Sequence, residues 1–99
     1  MKPVIFRPAA AADVDDAYAW YERQGRGLGD RFLAAVRSGL DAISSRPLTY
    51  PVLLRETRRF LLRRFPYGLL YRIVDDQIVV VACFHGRRAP RRWKSRVAG

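Results

Sequence analysis

The chain has 99 residues, 49% of them apolar, one cysteine and a formal net charge of +10. That is enough apolar material for one domain spanning 1–99 with a single core. The lone Cys83 excludes a disulfide framework and points to a reduced, cytoplasmic setting. Residues 1–6 lack the apolar run of a signal peptide, and no run approaches membrane-spanning length.

Val4-Ile5-Phe6 reads as a short apolar strand closed by Arg7-Pro8. From Ala9 to Gln24 the pattern is helical. Asp13, Asp15 and Asp16 stand near its start, where carboxylates suit the helix dipole. Val14, Ala17, Tyr18 and Tyr21 mark its buried face. Gly25-Arg26-Gly27-Leu28-Gly29 interrupts the helix; with no strand before it and no Lys-Ser/Thr after it, this is not a phosphate loop. A second helix over about Asp30 to Ser44 carries Phe32, Val36, Leu40 and Ile43 on one stripe, and Pro47 blocks its extension. So short a connection predicts an antiparallel helical hairpin.

The second half changes period. A strand is expected from Phe60 to Phe65, a turn at Pro66-Tyr67-Gly68, and a strand from Leu69 to Val74. In that second strand Leu70 and Arg72 share one face, and Tyr71 and Ile73 the other. Asp75-Asp76 reads as a two-residue hairpin connection. The run Ile78 to Phe84 is apolar throughout, so either both its faces or both its flanks are expected to be covered. A short helix is expected at Arg91–Arg96 after Pro90. The order is β-α-α-β-β-β with a short basic C-terminal tail: an α+β fold, with a helical hairpin packed on a small, mostly antiparallel sheet.

Charge is distributed unevenly. Residues 1–54 carry seven Lys or Arg against six Asp or Glu, whereas residues 55–99 carry twelve against three. Only Lys2 and Lys94 are lysines, so the surplus is guanidinium, which forks onto carboxylates and phosphates. The apolar strand ends in His85-Gly86-Arg87-Arg88-Ala89-Pro90-Arg91-Arg92-Trp93, which delivers the single histidine and four arginines to one edge of the fold. That concentration predicts an anionic partner. Arg58, Arg59, Arg63, Arg64, Arg87, Arg88, Arg91, Arg92 and Trp93 are the candidate target-binding residues. His85 also has a structural reading, as a cap on the strand it follows, and Trp20 and Trp93 read as packing residues. No cluster of His, Cys and carboxylates has metal-ligand spacing, so neither a metal nor another cofactor is expected.

Three segments together carry a family resemblance. These are Asp15-Asp16-Ala17-Tyr18-Ala19-Trp20-Tyr21 with Gly27-Leu28-Gly29-Asp30-Arg31-Phe32; Arg63-Arg64-Phe65-Pro66-Tyr67-Gly68-Leu69-Leu70-Tyr71-Arg72; and Val81-Ala82-Cys83-Phe84-His85-Gly86-Arg87-Arg88 followed by Pro90 and Trp93. In order and spacing they resemble the RelE/ParE superfamily of bacterial type II toxin–antitoxin toxins, also called plasmid stabilisation proteins. The resemblance covers nearly the whole chain. It implies a growth-arresting toxin, neutralised by a cognate antitoxin in a hetero-oligomer, and one of two targets.

RelE-like members cut mRNA on the ribosome, and ParE-like members poison DNA gyrase without hydrolysis. For an RNase, a 2′-hydroxyl must lose a proton and the developing phosphorane charge must be neutralised. The catalytic candidates would then be His85, Arg87 and Arg72, with Glu56 as a weaker base and Tyr67 or Tyr71 as a proton donor or stacking surface. Against this, similar RNases place an arginine just before the Leu-x-Tyr of the middle strand, where this chain has Gly68. They also often end in a tyrosine-containing tail, and no tyrosine follows Tyr71. The resemblance therefore favours the ParE-like branch, with the RNase as the alternative. A DNA-binding module is disfavoured because no recognition helix of the helix-turn-helix kind is evident.

Overall fold

The computed structural model describes residues 1–86 and 90–98, without the side chains of residues 90–92 and 98. In chain order the elements are β1 (Val4–Phe6), α1 (Pro8–Gln24), α2 (Leu28–Ser45), β2 (Val52–Leu54), β3 (Thr57–Leu61), β4 (Tyr67–Val74), β5 (Gln77–His85) and α3 (Pro90–Ala98). The strands form one sheet in the order β1-β5-β4-β3-β2. β1 runs parallel to β5 and every other pairing is antiparallel. The expected α+β architecture is present.

Pro8 opens α1, where its missing N–H costs nothing. Ala10, Val14 and Ala17 then turn one narrow face inward, as their three-to-four residue spacing dictates. α2 buries Phe32, Val36 and Ile43 along a matching stripe. Between the helices Gly27 takes a left-handed φ of 86° that a side chain would strain. Gly27 is also the N-cap of α2 and has no side chain with which to cap it. Glu22 on α1 fills that role: its carboxylate accepts the Gly29 N–H at 2.9 Å and the Gly27 N–H at 3.2 Å.

The core has two parts, one on each face of the sheet. On the hairpin side Phe32, Ile43, Leu69, Tyr71, Ile78 and Val80 are fully enclosed, and Tyr21, Phe32, Phe65 and Tyr67 interlock with ring centroids 5.0–6.0 Å apart. On the opposite side Leu70, Val81, Ala82 and Val97 are buried, with Leu53, Leu54, Phe84 and Trp93 packed against them. Helix α3 supplies that second cover, so β5 is enclosed on both faces, one of the two arrangements that its uninterrupted apolar run predicts.

Three boundaries differ from the sequence expectation. An additional strand, β2, pairs with β3, because Arg55 takes a left-handed φ of 55° and lets Leu54 oppose Thr57 in a tight turn. The strand expected at Phe60–Phe65 instead spans Thr57–Leu61, with residues 62–66 forming the turn and Tyr67 and Gly68 inside β4. The tail forms a nine-residue helix rather than a short one. In each case long-range pairing or packing outweighs local pattern.

The pairing of β4 with β5 holds the decisive irregularity. Leu70 opposes Ala82 but Tyr71 opposes Val80, so Val81 is an extra residue, a β-bulge. Val81 and Ala82 consequently both contribute to the α3-side core. Beyond them the alternation is reversed, and Cys83 joins the hairpin-side core.

Candidate functional site

The bulge decides where His85 lies. Strict alternation from Ile78 would put His85 on the face of Val79, which is also the face of Arg72. With Val81 inserted, His85 instead opposes Tyr67 on the hairpin face, their ring centroids 5.3 Å apart at 74°. Arg72 opposes Val79 on the α3 face. There its Nε donates to the Thr57 hydroxyl at 3.0 Å and its guanidinium donates to the carbonyl of Val97 near the end of α3. Five residue steps along β4, from Tyr67 to Arg72, separate the two positions, about 17 Å at strand rise.

Other members of the catalytic set are similarly dispersed. Glu56 is exposed in the β2–β3 turn, at the Arg72 end of the sheet. Tyr71 is fully buried and donates its hydroxyl proton to the Pro47 carbonyl at 2.6 Å; burial pushes its phenol up to about 12. Arg58 donates to the carbonyls of Tyr50 at 2.6 Å and Leu48 at 3.2 Å. Tyr71 and Arg58 together pin the segment between α2 and β2. Arg58 and Arg72 thus each carry a clear structural load. Arg87 and Arg88 lie outside the described residues. Arg91 and Arg92 fall within α3, and their side chains lie outside the described ones.

What the fold does bring together is a basic end. The Gly86 N–H donates to the Pro66 carbonyl at 2.7 Å, and the Leu62 N–H donates to the Tyr67 carbonyl at 2.9 Å. These bonds clasp the β3–β4 turn, which carries exposed Arg63 and Arg64, against the start of the β5–α3 connection. Arg63 and Arg64 are thereby held beside the end of β5. Arg59 lies on the α3 face of the same end, half-buried, its stem laid over Gly68: a Cβ built on Gly68 would stand 3.3 Å from Arg59 Cγ. Gly68 thus leaves room for the Arg59 stem, and Trp93 packs on the neighbouring α3-side core.

Two further features were not singled out from sequence. Where β1 ends, the freed groups of β5 are met by an ion pair. Asp13 accepts the Cys83 N–H at 3.0 Å, and Arg96 donates to the Val81 carbonyl at 3.2 Å and to Asp13 at 2.8 Å. This pair fastens α3 to α1. Beside it a cleft of about 770 Å³ opens between the two helices, with Trp20, Arg23, Tyr67, His85 and Ser95 in its walls. Trp20, read as a packing residue, is 48% exposed there and touches Tyr21 edge-on. Spacing alone had no signal for either feature, since both depend on elements far apart in sequence. Burial, reinforced by the Asp13 carboxylate, pushes the Cys83 thiol up to about 12. No helix among the described residues is long and apolar enough to cross a membrane. No group of three or more His, Cys, Asp or Glu among them is placed to hold a metal.

A helical hairpin on a five-stranded sheet, with a C-terminal helix over the second face and a basic end, is the architecture of the RelE/ParE toxins. The model of the ParE toxin family of type II toxin–antitoxin systems matches residues 4–90, and the chain belongs to that family. Among solved structures, the RelBE2 toxin–antitoxin complex of Mycobacterium tuberculosis aligns at 30% identity and TM-score 0.61, over 85% of this chain and 96% of that one. The chromosomal ParDE system of P. aeruginosa aligns at 20% identity and TM-score 0.63, over 86% and 96%. The intact E. coli RelBE complex aligns at 14% identity and TM-score 0.59, over 89% and 100%. The two alignments below 25% identity speak for the fold alone. A comparison with curated proteins found no match.

Proposed function

We propose that this toxin arrests bacterial growth by poisoning DNA gyrase through its basic end, without hydrolysis, and that a cognate antitoxin neutralises it in a cytoplasmic hetero-oligomer. The observation that carries this reading is the separation of His85 from Arg72. An RNase needs its proton-transfer group and its charge-stabilising group within reach of one phosphate. Here the histidine faces α1 while the arginine is engaged with Thr57 and the end of α3 on the other face. The place over Gly68 is filled by the Arg59 stem. Arg59, Arg63, Arg64 and Trp93, with Arg87, Arg88, Arg91 and Arg92 from the same sequence cluster, form the proposed target-facing set.

Purified toxin added in excess to gyrase and relaxed plasmid should suppress supercoiling. Unchanged supercoiling would count decisively against a gyrase target. The RNase alternative draws support from the cleft that gathers His85, Tyr67 and Arg23. It requires mRNA cleavage in a translating extract that is lost on combining His85→Ala with Arg87→Ala.

A further inference from the structure

The cleft of about 770 Å³ between α1 and α3 has room for a small molecule and collects polar groups from three elements. Asp16, Trp20 and Arg23 line it from α1. They stand at i, i+4 and i+7, so they form one stripe, with Asp16 and Arg23 about 10 Å apart along the helix. His85 of β5 and Ser95 of α3 line it from other elements. Asp13 and Arg96, also in its walls, are engaged with each other and with the backbone of β5. The stripe is not so engaged. The side chains of Asp16, Arg23 and Ser95 make no hydrogen bond or ion pair among the described residues, and Trp20 is 48% exposed.

Along the stripe the order is acceptor, aromatic surface, cation. A carboxylate can only accept hydrogen bonds. Guanine sets two adjacent N–H donors on its Watson–Crick edge, whereas adenine and the pyrimidines set an acceptor beside theirs, which a carboxylate repels. An exposed indole is a surface on which a base stacks. A guanidinium forks onto phosphate, and the net charge of +10 favours the approach of an anion. The Ser95 hydroxyl is a partner for ribose hydroxyls. We infer that this cleft binds a guanine mononucleotide, with its base on Trp20 and Asp16 and its phosphate on Arg23. The inference is independent of the growth target.

The test titrates the full chain by calorimetry with guanosine 5′-monophosphate, adenosine 5′-monophosphate, ribose 5-phosphate and a short guanine-containing single strand. The guanine nucleotide should bind about tenfold more tightly than the adenine nucleotide or the sugar phosphate, as hydrogen-bonded reading of a base edge allows. Trp20→Ala and Arg23→Gln should each cost about tenfold in affinity, the loss of one stacked base or one charged contact. Trp20→Phe, which keeps an aromatic face, should retain most of the affinity. Asp16→Asn should abolish the preference for guanine over adenine. All three positions are exposed, so the variants fold, and unchanged thermal melts check this. Arg37→Gln, on α2 and outside the cleft, should bind like wild type. The inference is overturned by absent heat at millimolar guanine nucleotide, by equal binding of the adenine nucleotide or sugar phosphate, or by wild-type affinity in Trp20→Ala. A guanine preference that survives Asp16→Asn also overturns it. So does tighter binding of the single strand than of the mononucleotide, which would make the cleft a nucleic-acid groove.

Discussion

Arg72 and His85 stand on opposite faces of the sheet and near opposite ends of β4, with the Val81 bulge between them. Arg72 is tied into the fold by the Thr57 hydroxyl and the Val97 carbonyl. Arg72→Met should therefore destabilise the protein by about 1–3 kcal/mol, the cost of stranding polar partners at a mostly enclosed site. His85→Ala, half-exposed at the strand end, should cost less than about 1.5 kcal/mol. Urea denaturation of the two variants decides the matter; equal losses would mean that Arg72 is not a structural residue.

Glu22 caps a helix other than its own. Removing its carboxylate leaves the Gly27 and Gly29 N–H groups without their acceptor at the start of α2. Glu22→Ala should lower stability by about 1 kcal/mol, the usual worth of an N-cap. Glu22→Gln, which keeps one acceptor oxygen for the Gly29 N–H but not the second for Gly27, should recover part of it. Parallel denaturation curves, with the two variants losing the same amount, would refute the capping role.

The Asp13–Arg96 pair closes the open stretch of β5 and fastens α3. Asp13→Ala leaves the Cys83 N–H unpaired and Arg96 without its carboxylate. The expected loss is about 2 kcal/mol, beyond that of an exposed ion pair. Exchange of the α3 amides should quicken more than exchange of the α2 amides. Uniform quickening across both helices would contradict a local fastening.

Alkaline pH should loosen the fold. The neutral forms of Tyr71 and Cys83 are favoured by burial, each with its pKa raised to about 12 from ordinary values of 10 and 9. A raised folded pKa means stability that is complete below the ordinary value and lost as pH rises through the folded one. The urea midpoint should thus hold to about pH 9 and fall progressively towards pH 12. Cys83→Ala should delay the onset by about a pH unit, leaving the later Tyr71 portion. A midpoint that stays flat from pH 9 to 11.5 would show that neither group is held neutral.

Much of the fold was legible in the chain. Val14 with Ala17, and Phe32 with Val36 and Ile43, repeat at helical spacing because a helix shows one face to its core. The uninterrupted run from Ile78 to Phe84 announced a strand covered on both faces or both flanks, and the structure covers both faces. Asp75 and Asp76 form the expected two-residue connection, both with positive φ, as a primed turn demands. β2 was missed because Val52-Leu53-Leu54 is too short to show a period, and its strand character comes from pairing with β3.

The candidate site was legible only as an inventory. Residue types and the arginine-rich second half were plain, and the ordered motifs identified the superfamily. Which residues meet was decided by the tertiary structure alone. One extra residue at Val81 shifts the pleat of β5 and carries His85 away from the face of Arg72, because strand faces alternate with every residue and a one-residue insertion reverses them. A single backbone hydrogen bond from Gly86 to Pro66 ties the turn that carries Arg63 and Arg64 to the end of β5. The sequence by itself determined most of the elements, the charge and the family, since these follow from local periodicity, composition and the ordered motifs. Register, facing and convergence belong to the folded chain, since they arise from contacts between segments that no local pattern records.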